Sequence, residues 1–444
     1  MRDLTTGKPM KQILLFTLPI LLGSILQLTY SLVDTRIVGS VLGDVSLAAV
    51  GATTSLSNLI VGFLMGLTNG FAVIIARFFG AGDEAGLRKS VAASAVLALC
   101  VSVGMTIATL LFLNPILHIL HIDAEIYEMS YAYISVIFAG MTFSMLYNLC
   151  AAVLRAIGDS VTPLIFLAFS VVVNIFGDLL CVCVLKMGVQ GAAVATIVSQ
   201  MLATVLCLIY IYKKYEILHL RRKDFAFSRE LVKDLFSCGL SMGFMGCLVN
   251  LGSVALQTGI NTLGNEYIVA HTAARKLTEL FMMAFGVIGT TMATYAGQNY
   301  GAGRMDRVKA GVRAALILVF VWSGLAVLCS YTIAPVLIRL VTGTENETVI
   351  RAASDYLRFD TLLYWVTAII VVLRNTMQGI GDHTTPIISS SIECIGKIVL
   401  VNVLVEPFAY WGIIVSEPIT WCLMVIPLIV QYVRNPILKN ASFK

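Results

Sequence analysis

The sequence predicts an all-α membrane protein: twelve transmembrane helices arranged as two pseudo-symmetric six-helix bundles. Three observations predict it. Of 444 residues, 58% are hydrophobic and 12% are charged. That is about half the charged share of a soluble domain, so lipid rather than water must cover most of the surface. Apolar runs long enough to cross a bilayer, about 20 residues each, recur along the whole chain. Two short signatures also occur twice in the same order. Ala-Arg-Phe-Phe-Gly-Ala-Gly-Asp at 76–83 returns as Gly-Gln-Asn-Tyr-Gly-Ala-Gly-Arg at 297–304, and Gly158-Asp159 with Pro163 returns as Gly381-Asp382 with Pro386.

The expected spans are 12–38, 46–74, 91–111, 128–154, 161–185, 189–212, 235–262, 267–296, 310–338, 354–376, 386–408 and 412–433. Their length and their lack of period-2 alternation favour helices, since only helices and closed barrels satisfy their backbone groups in lipid. Span 1 follows Arg2, Lys8 and Lys11. It reads as an uncleaved helix, because no small-residue cleavage site follows and eleven more spans do. Pro19 and Gly23 give it a place to bend, and Tyr30 and Asp34, four apart, share one face. After span 2, Gly80-Ala81-Gly82 suits a helix stop, as does its copy Gly301-Ala302-Gly303 after span 8. Gly158 and Gly381 with their aspartates suit sharp turns, and Pro163 and Pro386 suit the first turns of spans 5 and 11. In span 5, Asn174 and Asp178 again share a face.

The longest basic stretch, 213–233, falls midway, so the chain divides into a bundle at 1–212, a linker at 213–234 and a bundle at 235–444. Six helices per half is an even number, so both halves have the same orientation and are related by an axis along the membrane normal, with a cavity between them. In the second half, Arg275 with Glu279 and Glu393 with Lys397 are spaced to neutralise each other. His271 reads as a satisfied polar group. Met242, Met245, Met282, Met283 and Met292, with Phe281 and Phe285, read as packing residues.

Most Lys and Arg fall on one side if both termini are cytoplasmic, from Arg2 through the linker to Lys439 and Lys444, as the positive-inside rule requires. The net charge of +5 then reflects topology, and no nucleic-acid motif accompanies it. The ten cysteines lie in or beside apolar spans with no zinc spacing. No H-E-x-x-H, G-x-S-x-G or P-loop is present, so neither an enzyme nor an ATP-driven pump is expected, and no filter loop suggests a channel. No resident cofactor or metal is expected.

A charge inside the membrane costs about 2.5–3.5 kcal/mol on insertion scales, so it hints at function. Adding the repeat offset to Asp34 lands on Ala255, Leu256 or Gln257. For Asp178 it lands on Val399, Leu400 or Val401. A purely structural network would be expected in both halves, so these two acids point to a task of the first bundle.

Twelve helices in two halves, the paired Gly-Ala-Gly loops, Tyr-x-x-x-Asp at 30–34 and Asn-x-x-x-Asp at 174–178 together resemble the multidrug and toxic compound extrusion (MATE) family, in its DinF-like branch. The resemblance implies a V-shaped transporter that exports cationic or apolar compounds in exchange for protons or sodium ions. It implies a first-half polar network of Tyr30, Asp34, Asn148, Asn174, Asp178 and Thr196, with any bound sodium at Asp34 and Asp178. It gives Glu279 a looser secondary role and gives Pro19, Gly80, Gly82, Gly301 and Gly303 hinge or loop roles. It further implies a monomer in the plasma membrane of a prokaryote. The alternative is a flippase for lipid-linked precursors on a similar fold. Such a protein would be expected to line its cavity with several cations, and few lie in the first-half spans.

Overall fold

A computed structural model describes residues 2–120 and 122–439; Lys444 and the outermost ends of both expected bundles lie outside them. The described chain is nearly all helix, in the order α1 (Pro9–Leu42), α2 (Asp44–Gly80), α3 (Glu84–Leu111), α4 (Leu113–Ile119), α5 (Ala124–Ala139), α6 (Met141–Ala156), α7 (Val161–Asp178), α8 (Val189–Lys214), α9 (Arg229–Asn261), α10 (Asn265–Gly301), α11 (Met305–Thr332), α12 (Ala334–Thr342), α13 (Glu347–Leu362), α14 (Tyr364–Ile380), α15 (Thr384–Phe408), α16 (Tyr410–Arg434) and α17 (Pro436–Lys439). Ten helices are long and apolar enough to cross a membrane, and two bent pairs bring the number to twelve. Those pairs are α5–α6, bent by 46°, and α13–α14, bent by 51°. The sequence expected each to be one uninterrupted span. At the first break, a side chain at Gly140 would meet Ile197 at 2.3 Å, so a neighbouring helix leaves no room there for anything but glycine.

The repeated turns have the same hydrogen bonds in both copies. Asp83 N donates to Phe78 O at 3.1 Å and Arg304 N to Asn299 O at 2.8 Å. These are the six-to-one bonds of a helix end closed by a left-handed glycine. That glycine is Gly82 (φ 68°) or Gly303 (φ 70°), while Gly80 and Gly301 end α2 and α10. The second signature behaves alike. Asp159 Oδ1 accepts from Thr162 N at 3.0 Å, and Asp382 Oδ1 accepts from Thr385 N at 3.0 Å. Pro163 and Pro386 fall in the first turns of α7 and α15.

Contacts divide the chain into two compact units. The first is residues 1–3 with Leu18–Gly243, and the second is Leu4–Thr17 with Phe244–Lys444. In the first unit, α2 and α9 meet through glycines. A Cβ on Gly70 would lie 2.5 Å from Gly239 Cα, and one on Gly66 would lie 2.7 Å from Gly243 Cα, a small-xxx-small crossing on both sides. In the second unit, Arg307 holds the N-terminal segment, donating to Leu4 O (3.1 Å), Thr6 O (2.9 Å) and Gly7 O (2.8 Å). The packing of α1 therefore changes unit just before Pro19, through which the helix continues unbroken.

Candidate functional site

The α7–α8 contact positions the first-unit site. A side chain at Gly177 would press on Ala195 Cβ at 3.0 Å, so this glycine lets the two helices approach closely. That brings Thr196 against Asn174. In the orientation that satisfies both ends of its amide, Asn174 Nδ2 donates to Asp178 Oδ2 at 2.9 Å. Its Oδ1 accepts from the Thr196 backbone N at 3.1 Å and lies 3.2 Å from the Thr196 hydroxyl. The Tyr30 hydroxyl, from α1, is 3.3 Å from the same Thr196 oxygen. Asp178 is the last residue of α7. A π-helical turn, Leu179–Val184, follows it directly where the sequence expected plain helix. Such turns recur at functional sites because they break the regular ladder.

Asp34 lies against Asp178, carboxyl to carboxyl, and Tyr133 is near enough to feel the charge of both. Asp178 and Asn174 are buried. Asp34 Oδ1 and Asp178 Oδ1 have no hydrogen-bond donor among the described residues. Two ionised carboxylates in contact repel each other and offer only acceptors, so a shared proton or a bound cation would stabilise the pair.

Beside this pair is a cavity of about 190 Å³ lined by α1, α2, α6, α7 and α8. Of the six expected network residues, Tyr30, Asn148, Asn174 and Thr196 line it, whereas Asp34 and Asp178 sit behind its end. Pro19 and Gly23 line it too. Ser144 and Gln200, which donate and accept one hydrogen bond across it, were not singled out by the sequence. Nor was Arg155, the one charged residue among the lining residues. The positive-inside pattern explains that oversight, since it assigns any cation near a helix end to topology.

The second unit holds a cavity of about 290 Å³, and its chemistry is different. Arg275 does not pair with Glu279 as its spacing suggests. It donates to both carboxylate oxygens of Glu417 on α16, at 3.0 and 2.9 Å. A buried carboxylate in direct charge-assisted contact with Arg275 Nη1 outcompetes one that only helical spacing supplies. Lys397 Nζ is 2.8 Å from Glu417 and 3.0 Å from Glu393, the latter as the i,i+4 spacing predicts. Tyr356 donates to Glu417 at 2.6 Å, and Arg374 approaches Glu393 at 3.9 Å. Asp360 accepts from Thr278 at 3.3 Å, while its other oxygen has no donor among the described residues. Glu279 lines the cavity on an exposed position, with no ion pair among the described residues. Met282 and Phe285 line the cavity and Met292 is fully buried. His271 is buried with Nδ1 lacking a partner, edge-on to Tyr356, so burial among aromatic rings rather than a hydrogen bond places it.

Sequence reasoning missed Glu417 and Asp360. The signal for Glu417 was present, an acid inside an apolar span, and it is the one that singled out Asp34 and Asp178. The second bundle is therefore not without buried acids; they occupy other positions.

Known proteins share this architecture. A MOP superfamily transporter from Pyrococcus furiosus superposes with a TM-score of 0.91 at 24% identity, covering 99% of this chain and 98% of that one. An outward-facing multidrug resistance MATE transporter superposes with a TM-score of 0.91 at 23% identity, covering 99% and 98%. A probable multidrug resistance protein, YpnP of Bacillus subtilis, is 30% identical over 69% of this chain and 68% of its own length. The multidrug export protein MepA of Staphylococcus aureus is 24% identical over 97% and 96%. The MatE family model matches residues 19–180 and 242–404, once in each half and well over half of the chain. The chain is thus a multi-pass membrane transporter and belongs to the MATE multidrug efflux family.

Proposed function

We propose that this protein exports cationic and apolar compounds across the plasma membrane of a prokaryote, as a monomer with both termini cytoplasmic. Export is driven by protons or sodium ions moving inward, without ATP and without a resident cofactor. One observation carries the reading: two carboxyl groups in contact beside the first-unit cavity, each with an oxygen that lacks a donor among the described residues. The names of the multidrug export relatives support it.

The cycle follows from charge. With the Asp34–Asp178 pair empty, the cavity end is negative and holds a cation. When a proton or sodium ion enters the pair, one negative charge is cancelled. A lost unit-charge attraction at about 4 Å is worth about 4 kcal/mol at an effective dielectric constant of about 20, nearly a thousandfold in affinity. The substrate leaves. Release of the ion on the other side restores the charge. The two ligands exclude each other, and that exclusion couples their flows. Asn174, Thr196 and Tyr30 orient the pair through their hydrogen bonds.

The flippase alternative is the weaker reading, since a diphosphate headgroup calls for several cations and Arg155 is the only charged residue among the cavity's lining residues. The test is ethidium efflux from proteoliposomes, with a proton gradient and a sodium gradient imposed separately, for the wild type and Asp34→Asn. One gradient should drive efflux in the wild type and neither in the variant. Undiminished gradient-driven efflux in Asp34→Asn would refute the assignment.

A further inference from the structure

Arg155 is the feature the exchange cycle leaves unused. It sits in the last turn of α6, half-buried, and lines the first-unit cavity. Its Nη2 donates to Asn69 Oδ1 on α2 at 3.1 Å. That uses one of five N–H donors. Among the described residues no carboxylate lies within ion-pair distance of it. The second unit shows what this chain does with its other cavity-lining cations: Arg275, Arg374 and Lys397 each have a carboxylate partner. Position in a last turn accounts for a cation there through the helix dipole. It does not account for a guanidinium turned toward a cavity with no anion to meet it.

The rest of the cavity completes the picture. Along α7 the lining runs from Pro163, beside the Arg155 end, to Asn174, beside the carboxyl pair. Those twelve residues, eleven steps of 1.5 Å each, span about 16 Å. Between the poles lie uncharged polar and apolar groups such as Asn148, Gln200, Leu167 and Val171. The cavity is therefore dipolar, with a guanidinium that has no carboxylate partner among the described residues at one end and a pair of carboxyl groups beside the other. A guanidinium fork matches a carboxylate or phosphate geometrically.

We propose that Arg155 is an anion subsite of this cavity, so that the substrates include amphipathic zwitterions and organic anions bearing a carboxylate or phosphate. The inference rests on the export reading above, which assigns substrates to this cavity. It makes Arg155 a specificity-determining residue: it selects among substrates, while the carboxyl pair couples them to the ion.

The test uses purified full-length protein in detergent and in proteoliposomes, with two dyes: a rhodamine carrying a free carboxylate and the methyl ester of the same rhodamine. Binding is read by fluorescence anisotropy, and the quantity is the ratio of acid to ester affinity. In Arg155→Gln that ratio should fall at least about tenfold, the scale of a lost hydrogen bond to a charged group. Arg155→Lys should recover part of it, because charge remains while the fork is lost. An unchanged ratio in Arg155→Gln, or an equal loss of both dyes in both variants, overturns the proposal. If Arg155→Gln does not fold, Arg155→Lys decides alone: a shifted ratio supports the subsite and an unshifted one refutes it. Failure of wild-type vesicles to export even the ester counts against the export reading; the anisotropy ratio still tests Arg155.

Discussion

The two cavities of this protein solve the problem of buried charge in opposite ways. In the second unit, Glu417 receives Arg275, Lys397 and Tyr356, and Lys397 also reaches Glu393. Opposite charges meet at hydrogen-bond distance, with their geometry largely satisfied inside the chain. In the first unit, Asp34 and Asp178 face each other and Arg155 faces an amide. A closed network holds structure, whereas an open one needs something from outside. For the exchange proposed above, the contrast favours the first bundle more than the bare presence of acids does, since both bundles have them.

The largest effect should come from breaking the closed network. Glu417→Ala leaves Arg275, Lys397 and Tyr356 without their shared acceptor. Removing one partner of a buried ion pair costs about 3–5 kcal/mol, which for a chain of this length corresponds to a fall in melting temperature of about 3–5 °C. Thermal unfolding in detergent reads it directly. A double variant that also replaces Lys397 with Met should destabilise by less than the two single effects added together, because the second change removes a charge already orphaned. A wild-type melting temperature in Glu417→Ala would show that the network is not structural and would erase the contrast.

The open site should answer ions instead. If sodium completes the Asp34–Asp178 pair, it stabilises the folded state by about 2.7 kcal/mol at a hundred times its dissociation constant and so raises the melting temperature. If the proton does, mild acidification has that role and sodium does nothing specific. Titrating sodium against potassium at fixed ionic strength separates the cases, and Asp178→Asn should abolish the response in either. An equal sodium response in wild type and Asp178→Asn would move the ion elsewhere.

Smaller, and of opposite sign to the Glu417 effect, is the stability of Asp34→Asn. The amide removes a like charge from Asp178 and offers a donor to its orphaned oxygen. The melting temperature should therefore hold or rise, by the equivalent of about 1 kcal/mol, while coupled efflux is lost. A loss of several kcal/mol would make Asp34 a structural residue like Glu417.

Parts of this contrast were legible in the sequence and parts were not, for definite reasons. The spans were legible because the bilayer fixes their length, and the turns because Gly82, Gly303, Gly158 and Gly381 adopt left-handed backbone that favours glycine. The breaks at Gly140 and after Asp178 were not, since they depend on neighbours such as Ile197 that only tertiary packing supplies. Asn174 and Asp178 were legible as a pair four residues apart. The meeting of Asp34 with Asp178 was not, because helical spacing says nothing about which face of another helix arrives. The same limit misdirected Arg275: spacing offered Glu279, and packing delivered Glu417 from 142 residues away.

The smallest effect compares the two copies of the repeated turn. Asp159 and Asp382 each accept from a threonine backbone N–H and a threonine hydroxyl, but only Asp159 also receives a tyrosine, Tyr215, among the described residues. Burial alone would raise the Asp159 carboxyl. The bonds from Thr162 and Tyr215 outweigh it and hold the group below the ordinary carboxylate value of 3.8. A depressed folded value means stability that is fully present above about pH 4 and lost as pH falls through the folded value. Tyr215→Phe removes one of those bonds and should cost about 1 kcal/mol or less at neutral pH, because the site is partly open to water. Its deficit should shrink as the pH of the melt is lowered through the folded value, below which the carboxylate is protonated in wild type and variant alike. A deficit that stays constant as the pH falls until the carboxylate is protonated would mean that Tyr215 acts through its ring packing and not through the carboxylate, and the two copies of the turn would then be electrostatically equivalent.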